Sequence, residues 1–250
     1  MIGKRYLLLG GVAYFVFLIA TLPAGVAWKY FVGLAEQPGL EQSVSQLRGS
    51  AWNGEARVYI EGISYPVSWR VSPRSIWRLR LELDLSSYQD LLDGDATAFI
   101  SPFGLGVLDV RAKFSPGLIN HFLKPLPASM SNPVYVNVQR VDWNWGAFIA
   151  ANGRVAWEGG LITYRVGRDD QEFSAPEISA SLSSHDGHLV LAFLDGVELD
   201  AEELVSARLS GKGLGVIQVR RRLLDLIGQR WAANSQAEDI IFEVSQKLWN

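Results

Sequence analysis

The sequence predicts a mainly β protein, in which a single N-terminal transmembrane helix precedes an elongated, twisted antiparallel β-sheet domain with one or two short helices. Three features support this fold class: an uncharged apolar run near the N-terminus, alternation of apolar and polar residues over most of the remaining chain, and turn residues at short intervals. The 250 residues are 48% hydrophobic and include 24 Gly and 10 Pro, which favours a folded, turn-rich chain over a disordered one.

The apolar run covers residues 6–28, follows Lys4 and Arg5, and ends before Lys29. At about 1.5 Å per residue, a helix of this run would be roughly 35 Å long, which is enough to cross a hydrocarbon core of about 30 Å. The preceding positive charges place the N-terminus in the cytoplasm. A cleaved signal peptide is the alternative, because residues 25–27 are small. Signal-peptide cores are usually only about 7 to 15 residues long, so a retained anchor is favoured.

The domain boundaries follow from this anchor. Residues 1–5 are predicted to be the cytoplasmic N-terminus, residues 6–28 the transmembrane anchor, residues 29–48 a membrane-proximal linker or first strand, and residues 49–250 the external β-rich domain. Two of the 23 Lys and Arg residues precede the anchor, which leaves 21 against 26 acidic residues, a net charge near minus five. This charge argues against a general role in nucleic-acid binding.

Strands are predicted wherever apolar residues recur at every second position. The clearest case is residues 76–85, where Trp and Leu alternate with charged residues, and residues 55–61 repeat the pattern. Residues 189–194 are apolar at both parities, which predicts a central strand covered on both faces. Weaker strand patterns cover residues 67–71, 96–100, 107–114, 134–138, 153–157 and 161–166.

Turns and helices complete the predicted fold. Asn-Gly and Asp-Gly pairs separate several of the strands, which favours a meander of antiparallel hairpins. Two stretches predict helices: residues 116–123, which begin with Pro-Gly, and residues 216–231, whose apolar residues share one helical face. The letters Ala-Trp-x-Gly occur twice, at residues 51–54 and 156–159. A duplicated docking edge is one interpretation, but a Trp packed against a turn whose Gly admits the backbone is favoured.

Catalytic and metal-binding patterns are largely missing from the sequence. The chain has no cysteine, which excludes disulfides, thiol nucleophiles and cysteine metal sites. His185, Asp186 and His188 could supply metal ligands, but their Asp-Gly centre is typical of a tight, solvated turn. The acidic pairs at residues 169–170 and 202–203 are adjacent, so their side chains diverge and do not form a glycosidase dyad. The sequence therefore predicts no enzyme, no cofactor and no metal site.

A family resemblance rests on three groups of residues. They are Leu-Pro-Ala at residues 22–24, the stretch of residues 47–54 with Gly-Ser-Ala-Trp-Asn-Gly, and residues 66–73, which lead into residues 77–85. Together with residues 157–159 and 186–189, these resemble protein N of the bacterial type II secretion system. The resemblance implies a non-enzymatic accessory subunit of the inner membrane, with its β domain in the periplasm, that docks partner proteins to support export across the outer membrane.

The expected partners are other type II secretion components, both those of the inner membrane and those associated with the outer-membrane secretin. Residues 6–28 would contact the membrane, and no nucleic-acid partner is expected. An open edge of the sheet is a natural place for another chain to add a strand. The alternative is an AsmA-like envelope protein that handles lipid on an amphipathic β-sheet groove. The candidate interaction or framework residues are Gly49, Trp52, Gly54, Trp69, Trp77 and Trp157.

Overall fold

The computed structural model describes residues 2–35, 43–60, 62–72, 75, 77, 79–124, 128–166, 169–196, 201–226 and 235–247. The chain divides into two compact units, Met1–Gln89 and Asp90–Asn250. Within its described residues, the first unit contains two helices and four strands: α1 (Ile2–Ala20), α2 (Ala24–Ala35), β1 (Val44–Gly49), β2 (Asn53–Ile60), β3 (Ile63–Ser72) and β4 (Leu81–Tyr88).

The four strands of the first unit form an antiparallel meander in the order β1, β2, β3, β4. The register between β2 and β3 pairs Ala56 with Val67 and Val58 with Tyr65. Paired residues point to the same face of a sheet, so the alternating apolar residues of both strands lie on one side of this sheet. Ala56, Tyr65 and Val71 on that side are buried, and they form the core of this unit.

The predicted continuous helix over residues 6–28 is not observed. The apolar run is instead two helices, because α1 ends at Ala20 and α2 begins at Ala24. Pro23 lies between them, and proline lacks the N–H group that would continue the helical hydrogen bonds. Among the described residues, no helix combines the length and the apolar character needed to cross a membrane. Part of the predicted linker, residues 29–48, is also helical, because α2 extends to Ala35.

The described part of the second unit holds twelve strands and two helices. Nine strands form an antiparallel sheet in the order β5, β6, β8, β9, β12, β13, β14, β15, β16, and three form a smaller sheet in the order β11, β10, β7. The strands are β5 (Leu92–Ser101), β6 (Gly104–Phe114), β7 (Ala128–Met130), β8 (Val134–Trp143), β9 (Phe148–Trp157), β10 (Gly160–Val166), β11 (Asp169–Ala175), β12 (Ile178–His185), β13 (His188–Asp195), β14 (Glu203–Ser210), β15 (Leu214–Arg220) and β16 (Ile240–Lys247). The helices are α3 (Pro116–Leu123) and α4 (Arg221–Leu226). The predicted central strand at residues 189–194 lies in β13, between two neighbours.

Helix α3 occupies the predicted residues. Ser115 caps it, since its Oγ accepts a hydrogen bond from the Leu118 N–H, and Pro116 fills the first turn, where no N–H is needed. Asn120 then binds strand β7 through both side-chain atoms, at 3.0 Å to the Met130 carbonyl and 2.7 Å from the Met130 N–H. Leu118 of α3 is among the buried residues of this unit, with Val138, Trp157, Ala180 and Leu204.

Two predicted elements are wrong in their extent. The strand expected over residues 76–85 begins only at Leu81. The helix expected over residues 216–231 starts five residues later, at Arg221, because the preceding residues form β15. The structure describes this helix to Leu226, and the remainder of the expected helix lies outside the described residues. The apolar spacing of residues 216–220 fits either a helix or a strand, and pairing with β14 and β16 makes this stretch a strand.

Candidate functional site

Three of the six candidate residues meet at the turn that joins β1 to β2, and Trp69 packs on it from β3. Gly49 and Gly54 face each other in the register of the two strands, and residues 50–53 form the turn between them. Inside the turn, the Ser50 N–H donates to the Asn53 carbonyl at 2.9 Å, and the Ser50 Oγ accepts from the Asn53 N–H at 3.2 Å. The stretch that carries the family resemblance is therefore one closed turn.

Trp52 connects this turn to two other segments. Its indole Nε1–H donates to the Ile19 carbonyl at 2.8 Å, and its own carbonyl accepts from the Val71 N–H at 2.7 Å. Ile19 lies in the last turn of α1, where helical carbonyls lack partners inside the helix. The Ile19 carbonyl also accepts from the Leu22 N–H at 3.2 Å, so Trp52 adds a second donor at the end of α1 while its backbone extends the pairing towards β3.

Leu-Pro-Ala at the end of α1 docks on the same turn. The Ala51 N–H donates to the Leu22 carbonyl at 2.8 Å, and Pro23 forms a short antiparallel bridge with Ser50. Ala24, the next residue, is only 4% exposed. Two groups of residues that carry the family resemblance, far apart in sequence, are therefore in direct contact, and we call this contact the helix junction.

Gly54 is required at the helix junction by close packing. A Cβ atom at this position would lie 2.3 Å from the Arg48 carbonyl oxygen and 2.6 Å from the ring of Trp69. The Trp69 indole lies opposite Gly54 in the register and donates to the Ala51 carbonyl at 3.3 Å. Gly49 has φ of +90°, a backbone conformation that favours glycine. Trp69 can therefore pack on this turn only while position 54 is a glycine, and the backbone of the turn favours a glycine at position 49.

Trp157 builds a second site of similar design in the other unit. It is 6% exposed, and its indole Nε1–H donates to the Ser131 carbonyl at 2.8 Å. Ser131 also holds β10, because its N–H donates to the Leu161 carbonyl at 2.9 Å and its Oγ accepts from the Leu161 N–H at 2.8 Å. Gly159 completes the turn with φ of +76°. We call this arrangement the Trp157 corner.

Trp77 does not join either site. It precedes β4 and is 92% exposed, so it is not a framework residue of the sheet. The segment that carries it is fixed at Ser75, a buried residue whose Oγ donates to the Ser72 carbonyl at 2.6 Å and accepts from the Glu82 N–H at 3.1 Å. Trp77 is thus a large apolar side chain presented to solvent beside a fixed point.

The polar candidates are distributed as isolated pairs. The side chains of His185 and Asp186 are exposed in the β12–β13 turn, and within the described residues no group of three potential ligands could hold a metal ion. Asp170 accepts hydrogen bonds from Arg165, at 2.7 Å from Nε and 3.3 Å from Nη2. This hydrogen bonding, reinforced by the positive charge, lowers the pKa of Asp170 below its ordinary value. Neighbouring Asp169 faces the other side of the strand, so the two carboxyls do not form a dyad.

The second acidic pair, Glu202 and Glu203, also forms no dyad, because each carboxylate has its own cationic partner. Glu203 accepts from Arg220 at 2.9 Å, and Glu202 forms an ion pair with Arg222. The buried carboxyl of Asp142 accepts from the Nε of Arg140 at 2.7 Å, and this hydrogen bond raises the pKa of the arginine. Each of these carboxylates has a cationic partner, which is the arrangement of structural ion pairs.

The docking of Leu22 and Pro23 on the turn was not predicted from the sequence. One signal was present: a proline within an apolar run marks a probable end of a helix. It was outweighed by the length of the run, which suits a single span.

The comparisons with known proteins agree with the resemblance noted in the sequence. The chain has no match among curated proteins and none among solved structures. It matches the family model of type II secretion system (T2SS), protein N, over residues 41–225, which is well over half of its 250 residues. This match gives no support to the AsmA-like alternative. The chain therefore belongs to the type II secretion system protein N family, which makes it an envelope component of that protein-transport machinery, acting with the system's other components.

Proposed function

We propose that this protein is a non-enzymatic accessory subunit of the inner membrane that docks other type II secretion components through its periplasmic β domain. Residues 6–28 anchor the chain in the membrane, with the N-terminus in the cytoplasm and the following domain in the periplasm. The anchor covers most of α1, the residues between the two helices and the first part of α2, to residue 28.

The observation that carries the proposal is the uncovered apolar surface of α1. Tyr14, Phe15, Val16 and Phe17 are consecutive and all largely exposed. Four consecutive residues point to every side of an α-helix, so α1 is apolar all round. Such a surface is unfavourable in water by about 25 cal/mol per Å², whereas lipid covers it without cost. Lys4 and Arg5 at its start suit a cytoplasmic N-terminus.

The helix junction connects this anchor to the folded part of its unit. Helix α1 is bonded to the body of its unit through the Trp52 indole and the Leu22 carbonyl. These bonds hold the four-stranded sheet of the first unit next to the end of α1, which suits a subunit that presents this sheet to partners in one orientation. Trp77 is the best candidate for a partner contact in this unit, because exposed tryptophans are enriched among residues that dominate protein interfaces.

In-cell photocrosslinking tests both halves of the proposal. A photoreactive residue replaces Trp77 in the full chain, and a matched probe replaces Tyr65, which is 3% exposed. We expect the Trp77 probe to capture another type II secretion component in the membrane fraction and the Tyr65 probe to capture none. No captured component at Trp77 would contradict docking through this surface.

The second arm adds Leu9→Arg and Phe15→Arg to the Trp77 probe. Each charge at the centre of a membrane helix costs about 2.5–3.5 kcal/mol, so we expect the protein to leave the membrane fraction and the crosslink to be lost. Unchanged membrane association of this variant would contradict the anchor while leaving the docking result to be judged on its own.

A further inference from the structure

The last strand of the second unit has an open edge. Within the described part of the chain, β16 pairs with β15 on one side and with no strand on the other. Phe242 is 60% exposed, and Val244 on the same face is exposed as well. Opposite Val244 on β15, Ile217 extends this uncovered apolar row. An edge of this kind presents both unpaired backbone groups and apolar side chains.

Proline, lysine and a bulge are missing from the middle of β16, whose one charged residue there is Glu243. Natural edge strands avoid pairing through proline, lysine or a bulge. The register of β16 with β15 is uninterrupted from Phe242 to Lys247, and the one irregularity lies before this stretch. Lysine occurs only at the end, as Lys247, and proline does not occur. The stretch is therefore competent to accept another strand.

We propose that a second copy of this chain adds to this edge, with its β16 antiparallel to the first. Glu243 and Lys247 are four residues apart and lie on the same face. One antiparallel register places Glu243 of each copy opposite Lys247 of the other, which gives two equivalent ion pairs about a two-fold axis. Ser245 then faces its own equivalent at the axis, and Val244 lies opposite Gln246.

Charge complementarity selects this register over its neighbours. A pairing centred on Glu243 places two carboxylates opposite each other, which is destabilising. A pairing centred on Val244 places Lys247 opposite the apolar Ile241. Only the pairing centred on Ser245 places Glu243 and Lys247 opposite charges of the other sign. The same two residues therefore indicate both that the partner is a second copy and which register it adopts. The pairing is independent of the proposed docking function.

Single-cysteine crosslinking tests the register, because the sequence contains no other cysteine that could form a competing disulfide. In the full chain, Ser245→Cys brings two Cβ atoms to about 4.5–5.5 Å, close to the separation of a disulfide. We expect a disulfide-linked homodimer on mild oxidation. The control, Phe242→Cys, leaves Glu243 and Lys247 in place, lies about 20 Å from its equivalent in this register and should form no disulfide. Equal crosslinking at both positions, or none at Ser245, would overturn the proposal.

A charge swap provides the second readout. Lys247→Glu, added to Ser245→Cys, places like charges opposite each other twice, so the crosslinked fraction should fall several-fold. Adding Glu243→Lys restores opposite charges and should restore the crosslink. Failure of this rescue would overturn the register. Capture of a different protein at Ser245→Cys, without any homodimer, would show that another partner occupies the edge and would overturn the self-pairing.

Discussion

The two Ala-Trp-x-Gly sites share a design and differ in what they hold together. In both, the indole N–H donates at 2.8 Å to a backbone carbonyl far away in sequence, from Trp52 to Ile19 and from Trp157 to Ser131. In both, a glycine two residues after the tryptophan admits another segment at short range. Trp157 is buried, however, whereas Trp52 is only half-buried. The same sequence motif therefore forms the same type of hydrogen bond at both sites, and the segment that accepts the bond determines what the bond stabilises.

The difference lies in the segment that receives the bond. At the Trp157 corner, the acceptor is Ser131, which is itself tied to β10, so the bond closes a corner of a folded unit. At the helix junction, the acceptor is the end of α1, whose apolar surface lies outside the core. Loss of the first bond should weaken the fold, and loss of the second should release a helix. Three substitutions test this contrast.

The largest effect is expected from Trp157→Ala. Removing a buried aromatic side chain leaves a cavity and costs about 3–5 kcal/mol in the free energy of unfolding. Urea unfolding of the full chain in detergent, followed by far-ultraviolet circular dichroism, measures this loss. Trp77→Ala is the matched control, because an exposed side chain contributes within about 0.5 kcal/mol. Equal effects of the two substitutions would remove the basis for calling the Trp157 corner structural.

An intermediate effect is expected from Gly54→Ala. The added methyl group would overlap the Arg48 carbonyl and the Trp69 ring, so the turn must shift, at a cost of about 1–3 kcal/mol. Gly33→Ala is the matched control, because Gly33 lies in α2 with no atom within 4 Å of the added Cβ. Alanine is a better helix former than glycine, so this control should be neutral or stabilising. The same urea titration compares them, and a tolerated Gly54→Ala would contradict the close packing at the helix junction.

The strands were predictable because their signal is local. Alternation at two residues follows from the geometry of a strand, and it located β2, β3 and five of the twelve described strands of the second unit. The prediction failed before β4, where the alternation continues through Trp77 and Leu79 but the backbone does not. Buried Ser75 holds this segment through hydrogen bonds to Ser72 and Glu82, and Leu79 has φ of +53°, which is not a strand conformation. A side-chain bond to the backbone overrode the pattern.

The helix junction could be predicted only in part. Gly49, Trp52, Gly54 and Trp69 were identified from their sequence motif, and the structure brings them together. Their acceptor could not be identified, because every residue has a carbonyl group and the one at Ile19 carries no side-chain signature. Long-range backbone bonds of this kind depend on how the chain folds back, which no local pattern specifies.

The smallest effect on overall stability, but the most specific, is expected from Trp52→Phe. The ring is kept and the indole N–H is lost, so the Ile19 carbonyl loses a hydrogen bond worth about 1 kcal/mol. Hydrogen exchange of the full chain, followed by mass spectrometry, should show roughly fivefold faster exchange in residues 19–24 and at Ala51, with little change elsewhere. Trp157→Phe is the control and should leave this segment unaffected. Accelerated exchange throughout the first unit would mean that the helix junction supports the fold as the Trp157 corner does, and the contrast between the two sites would then fail.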